Sequence, residues 1–113
     1  MAVPLHPRRL RERGYNQSSL LARGLGQATG LPVDKGTLLR LRDTPPQART
    51  ASAEERLQNV VGAFSCRDRL LQGKRVLLID DVCTSGATLD ACATALKRMG
   101  ASSVWGLTLA RET

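Results

Sequence analysis

The sequence predicts an α/β fold of the three-layer α/β/α kind, with a mostly parallel, twisted sheet covered by helices on both faces. Three observations predict it. Val76, Leu77, Leu78 and Ile79 run together without the alternation of a half-exposed strand, so they read as a strand buried on both faces. Leu89, Cys92, Ala93, Leu96 and Met99 then follow at helical spacing. Residues 104–110 are apolar at most positions, so 73–110 reads as one strand–helix–strand unit.

The remaining elements can be placed in chain order. Residues 1–5, MAVPL, read as the tail of a strand. HPRRLRERGYNQ follows, and its Pro7 and Gly14 argue for a shaped loop rather than a free helix face. From Asn16 to Gln27 the pattern is helical: Leu20, Leu21, Leu25 and Ala28 form a stripe, Asn16 or Ser18 is the cap, and Gly30 is the stop. Gly24, Gly26 and Gly30 do not have dinucleotide-binding spacing. Pro32, Val33 and residues 38–41 form short extended pieces, interrupted by Arg40 and Arg42. RDTPPQARTASAEERLQNV is the least regular stretch, with a capping-box start for a short helix near 53–59. A long irregular stretch inside a compact domain is often a functional lid. Lys97 and Arg98 suit the last turn of the helix after the buried strand, and Gly100 its C-terminal cap.

The totals bound the rest. At 113 residues there is room for one domain. The net charge is +7, carried mainly by arginine, which favours phosphate-bearing partners without choosing between a small polyphosphate and nucleic acid. The cysteines are Cys66, Cys83 and Cys92. They form no CxxC pair, and His6 is the sole histidine, so a structural zinc site is not expected. An odd cysteine count without a signal peptide points to the reducing cytoplasm. No run has the length of a membrane span.

The chemistry is concentrated in residues 76–89, VLLIDDVCTSGATL. Asp80 and Asp81 end the apolar run. Two adjacent carboxylates repel each other and resist desolvation, so they call for sugar hydroxyls, a metal ion or a base. Thr84, Ser85, Gly86, Ala87 and Thr88 follow at the start of a helix, where backbone N–H groups and the dipole favour an anion. An acid pair a few residues from an anion cradle suits a phosphorylated sugar.

VLLIDDVCTSGAT resembles the phosphoribosyl-pyrophosphate (PRPP) signature of type I phosphoribosyltransferases, with Ser85 where threonine is more usual. VPLHPRRLRERGYNQ and RDTPPQAR…EERLQNVVGAF resemble the ComF competence-protein family, phosphoribosyltransferase-like domains linked to DNA uptake. Family members commonly carry a cysteine-rich zinc-binding segment ahead of the first strand. That segment is not expected here, and the first strand is expected to be clipped.

The resemblance implies that Asp80 and Asp81 hold the ribose hydroxyls, shape a Mg²⁺ site and carry the chemistry. It implies that Thr84, Ser85, Gly86, Ala87 and Thr88 hold the 5′-phosphate. His6, Pro7, Arg8 and Arg9 fall at the pyrophosphate loop, and Arg49 at the flexible lid. The implied function is binding of PRPP–Mg or a nucleotide 5′-phosphate, with transfer of phosphoribose to a nitrogen acceptor. The alternative is a non-catalytic competence factor that binds single-stranded DNA or other competence proteins. A second copy of the chain is a further partner this reading admits.

Overall fold

The computed structural model describes residues 1–42, 62–83 and 86–111. The lid with Arg49, the helix near 53–59, and Thr84 and Ser85 of the phosphate loop lie outside the described residues.

Strand β3 (Arg75–Cys83) lies at the centre. It is preceded in the chain by α1 (Pro7–Arg13), α2 (Gln17–Thr29), β1 (Leu38–Arg40) and β2 (Phe64–Cys66). It is followed by α3 (Ala87–Arg98) and β4 (Ser103–Arg111). β3 and β4 pair in parallel from Arg75↔Ser103 to Cys83↔Arg111. On the other edge of β3, Val3 N donates to Ile79 O at 2.9 Å and Ile79 N donates to Met1 O at 2.8 Å. The expected N-terminal strand is therefore a single parallel bridge, Ala2↔Ile79. β3 runs past the apolar tetrad, through both aspartates, because β4 offers partners as far as Arg111.

The strand–helix–strand unit forms as expected. Ala87, Cys92, Ala95 and Leu96 of α3 are buried, with Ala95 where the sequence pattern favoured Ala93. Cys92 and Leu96 pack with Val76 and Leu78, and the core continues through Val3, Leu38, Ala63 and Phe64. α3 ends at Arg98 with Met99 as its C-cap, one position before the expected Gly100, which follows in the left-handed conformation (φ 96). Gly100 N donates to Lys97 O and Ala101 N to Leu96 O, so the last carbonyls of the helix are satisfied.

α2 packs against β3 and begins and ends on the expected residues. Asn16 Oδ1 accepts from Ser18 N at 3.0 Å, and Gly30 closes the helix at φ 76. Its buried stripe is not the expected one. Ser18 and Ala22 are buried, whereas Leu20 is 52% exposed and Ala28 is also exposed. Leu21 and Leu25 of the expected stripe are half-buried, and the fully buried positions go to the small residues Ser18 and Ala22. Beside Gly26, a cavity of about 480 Å³ opens between α2, residues 31–34 and the first half of β3, lined by Leu25, Leu31, Val33 and Leu77 among others.

One expectation is corrected. Residues 7–13 form a helix, not a shaped loop: His6 caps it by accepting from Arg8 N, Pro7 fits its first turn, and Gly14 ends it at φ 84. The proline and glycine punctuate a helix here. The expected α/β fold holds in the parallel β3–β4 pair, and the described strands fall in two two-stranded sheets. β1 and β2 pair antiparallel, from Leu38↔Cys66 to Arg40↔Phe64. Asp34 prepares the entry to β1: its carboxylate accepts from the buried Thr37 through both the backbone N–H and the hydroxyl.

The two interior glycines of α2 should respond oppositely to alanine. A Cβ on Gly24 meets nothing within 4 Å, so Gly24→Ala should stabilise the domain by about 0.5–1 kcal/mol. A Cβ on Gly26 would lie 2.5 Å from Val33 Cγ2 and 3.2 Å from the Leu31 carbonyl. Gly26→Ala should therefore destabilise by about 1–2 kcal/mol despite its better helix propensity. Urea unfolding of both variants checks the pair, and equal stabilisation would contradict the close packing of α2.

Candidate functional site

Parallel strands deliver their C-terminal ends to one rim of a sheet, where ligands of open α/β folds bind. Three segments reach that rim. β3 presents Asp80 and Asp81 in its last turns of pleat. The N-terminal segment leaves the sheet after Val3, level with Ile79, and leads directly to His6 and α1. α3 starts at Ala87, immediately after the rim loop.

Asp80 is half-buried and held from two directions. Its Oδ1 accepts from Asp81 N at 2.9 Å and from Ser18 Oγ at 3.3 Å. Asp81 Oδ1 accepts from Val82 N at 2.8 Å. One oxygen of each carboxylate is thus tied to the next backbone amide. Burial pushes the Asp80 carboxyl up to about 6, and the neighbouring Asp81 carboxylate adds to the rise, while the Asp81 amide and the Ser18 hydroxyl oppose it. The protein's own donors therefore do not compensate this charge in full.

Gly86 precedes α3 with φ 81 and ψ 1, a left-handed conformation that side-chain-bearing residues rarely adopt. Gly86 is itself the N-cap and makes no side-chain capping hydrogen bond. Ala87 is buried and Thr88 half-buried. Asp90 in the first turn already sets a carboxylate near the positive end of the helix. Of the expected phosphate loop, the structure thus describes Gly86, Ala87 and Thr88 at a helix start beside the acid pair.

His6, Pro7, Arg8 and Arg9 open α1, on the segment that leaves the sheet at this rim. His6 is committed to capping, its Nδ1 accepting from Arg8 N at 3.2 Å. Arg8 pairs with Glu12 one turn on, at 3.6 Å, and both side chains are well exposed. α1 buries no residue.

Sequence reasoning missed three residues of this region. Ser18 was a candidate cap, but Asn16 takes that role and the Ser18 hydroxyl goes to Asp80. Asn16 also donates through Nδ2 to Val3 O at 3.1 Å, joining α2 to the segment beside β3. Arg40 lies with its guanidinium 5.1 Å from the Phe64 ring centroid, and its Nη1 donates to Pro4 O at 3.4 Å. A charge inside the apolar run Leu38–Leu39–Arg40–Leu41 was the available signal for it.

Cys92 is fully buried, and burial holds its thiol far above the usual thiol range, with Arg40 opposing and Asp80 adding to the effect. It is a core residue, as the helical pattern indicated. Among the described residues no group of three or more histidine, cysteine, aspartate or glutamate side chains could hold a metal ion. No described helix is long and apolar enough to cross a membrane.

The Asp80 shift has a pH signature. Its folded value of about 6 lies above the ordinary 3.8, so between those values the folded state binds more protons than the unfolded state. Stability from this group is therefore present at low pH and lost as pH rises through about 6. Two pK units correspond to about 3 kcal/mol by linkage, which solvent screening of this half-buried group reduces to about 1 kcal/mol. Asp80→Asn should stabilise the domain by about 1 kcal/mol at pH 7 and remove the decline in stability between pH 4 and 6. Urea unfolding across that range checks it, and an unchanged decline in the variant would move the effect to another group.

Comparison with known proteins shows the family of the chain. Residues 17–112 match the phosphoribosyl transferase domain. Competence protein F of Haemophilus influenzae is 38% identical over 109 residues, covering 93% of this chain and 47% of that protein. DNA utilization protein YhgH of Salmonella typhimurium is 38% identical over 104 residues, covering 92% of this chain and 45% of that protein. Competence protein ComFC of Bacillus subtilis is 36% identical over 111 residues, covering 97% of this chain and 43% of that protein. The chain spans less than half the length of these relatives. No solved structure matches it significantly. With its parallel β3–α3–β4 unit and an acid pair at the rim, the chain belongs to the phosphoribosyl transferase domain family, in the ComF group of competence proteins.

Proposed function

We propose that this domain binds PRPP as its Mg²⁺ complex, or the 5′-phosphate end of a nucleotide, at the C-terminal rim of β3, and that it serves DNA uptake in the cytoplasm. The observation that carries the reading is the half-buried pair Asp80–Asp81 beside the glycine-led start of α3. Asp80 and Asp81 accept the ribose hydroxyls. Gly86, Ala87 and Thr88, with Thr84 and Ser85, take the 5′-phosphate. His6, Pro7, Arg8 and Arg9 face the pyrophosphate, and Arg49 closes over it. The wider family fold for such a site is the three-layer α/β/α arrangement of type I phosphoribosyltransferases.

The residues fit Mg²⁺. This ion takes oxygen ligands and keeps several waters, binding through one or two carboxylates plus substrate phosphates rather than through an all-protein cage. When bound it would neutralise charge on the pyrophosphate leaving group. The carboxylates favour the cationic character that develops on the ribose ring as that group departs, and a nitrogen acceptor then receives the phosphoribosyl group. No covalent nucleophile is required.

Calorimetric titration with PRPP, with and without Mg²⁺, tests this reading. Wild type should bind in a Mg²⁺-dependent manner, and Asp80→Asn with Asp81→Asn should abolish that binding while the domain stays folded. Normal binding by the double variant would overturn the site.

One feature supports a second reading, a binding role on single-stranded DNA or on other competence proteins. α1 buries nothing and carries Arg8, Arg9, Arg11 and Arg13. If these residues contact a DNA backbone, affinity should fall steeply with salt, and replacing all four should flatten that dependence. A filter-binding series in rising salt measures it, and salt-insensitive or undetectable binding removes the DNA role.

A further inference from the structure

Ser18 is buried to 3% exposure in the first turn of α2, yet it does not cap that helix, because Asn16 does. Its hydroxyl donates instead to Asp80 Oδ1 at 3.3 Å, across 62 residues of sequence. The same oxygen accepts from Asp81 N at 2.9 Å. Two donors converging on one carboxylate oxygen fix the rotation of the carboxyl group and direct its other oxygen away from them. Ser18 is itself fixed. Its backbone N–H is held by Asn16, whose Nδ2 donates to the Val3 carbonyl beside β3 at 3.1 Å. The chain of contacts runs from the N-terminal segment through the cap of α2 to the first carboxylate of the acid pair.

We propose that Ser18 is a positioning residue of the ligand site. Its hydroxyl holds the Asp80 carboxylate in the orientation that accepts a ribose hydroxyl or a hydrated Mg²⁺. This inference rests on the assignment of Asp80 and Asp81 to PRPP–Mg²⁺ binding. Hydrogen bonds to charged groups are among the stronger ones in proteins, so loss of this one is expected to weaken binding about tenfold.

The test is calorimetric titration of wild type, Ser18→Ala, Ser18→Thr and Asp80→Asn with PRPP in Mg²⁺, with the thermal unfolding midpoint of each as the check on folding. The expected result is binding about tenfold weaker in Ser18→Ala, with Ser18→Thr returning to within about threefold of wild type because the hydroxyl is restored. Should Ser18→Ala fail to fold, Ser18→Cys, nearly isosteric and a poor donor, should show the same weakening. Wild-type affinity in Ser18→Ala, while Asp80→Asn loses binding, would overturn the role of Ser18 and leave the site standing. Equal weakening in the alanine and threonine variants would also overturn it, since packing and not the hydroxyl would be responsible. Absence of binding by folded wild type, or wild-type binding by Asp80→Asn, would overturn the site assignment itself, and the Ser18 role with it.

Discussion

The hydrogen bonding of β3 on both edges is the constraint on which the fold depends. A buried strand must place its backbone N–H and C=O groups with partners or lose free energy for each orphan. β4 supplies one edge along the whole strand, and Met1 and Val3 supply the other around Ile79. Both neighbours run parallel to β3, so the loops that leave its C-terminal end gather on one side. The start of α2 meets the acid pair there through Ser18, and the segment to α1 leaves the sheet at the same rim, although the two lie far from the pair in sequence.

Electrostatics at that rim follow from the same geometry. Extending β3 through Asp80 and Asp81 places two carboxylates where water is partly excluded. The protein answers with backbone amides and one hydroxyl, which are dipoles and not charges. Among the described arginines, Arg8 pairs with Glu12 and Arg40 lies over Phe64. A half-buried carboxyl raised in this way marks a candidate binding site.

Much of this could be read from the sequence, for physical reasons. The tetrad Val76–Ile79 and the helical spacing after Leu89 each reflect one element facing one core, whereas the apolar run before Ala110 forms β4 with Trp105, Leu107 and Leu109 exposed. Local pattern determines such elements, and they came out within a few residues. Asn16 and Gly30 bounded α2 correctly because capping is decided over a few neighbouring residues. The buried stripe of α2 was less legible. Hydrophobicity favoured Leu20 and Ala28, but close approach to Val33 and Leu31 selected the small residues Ser18, Ala22 and Gly26. The loop expected at residues 7–13 failed in a similar way: Pro7 and Gly14 mark ends, and the sequence does not say whether they end a loop or a short helix. The acid pair was plain in the motif. Its partner Ser18 was hidden, since a contact across 62 residues leaves no local pattern.

The bridge between Ala2 and Ile79 has a bearing on how the domain comes together. β3, α3 and β4 are neighbours in sequence, and short-range contacts of this kind form early because little chain entropy opposes them. The backbone pairing of Met1 and Val3 with Ile79 spans more than 70 residues and must wait for that large loop to close. Asn16 and Ser18 travel with the late-arriving segment, whereas Asp80 and Asp81 belong to the early one. The acid pair is thus expected to form before its surroundings, with the two halves of the rim meeting in the closing step of folding.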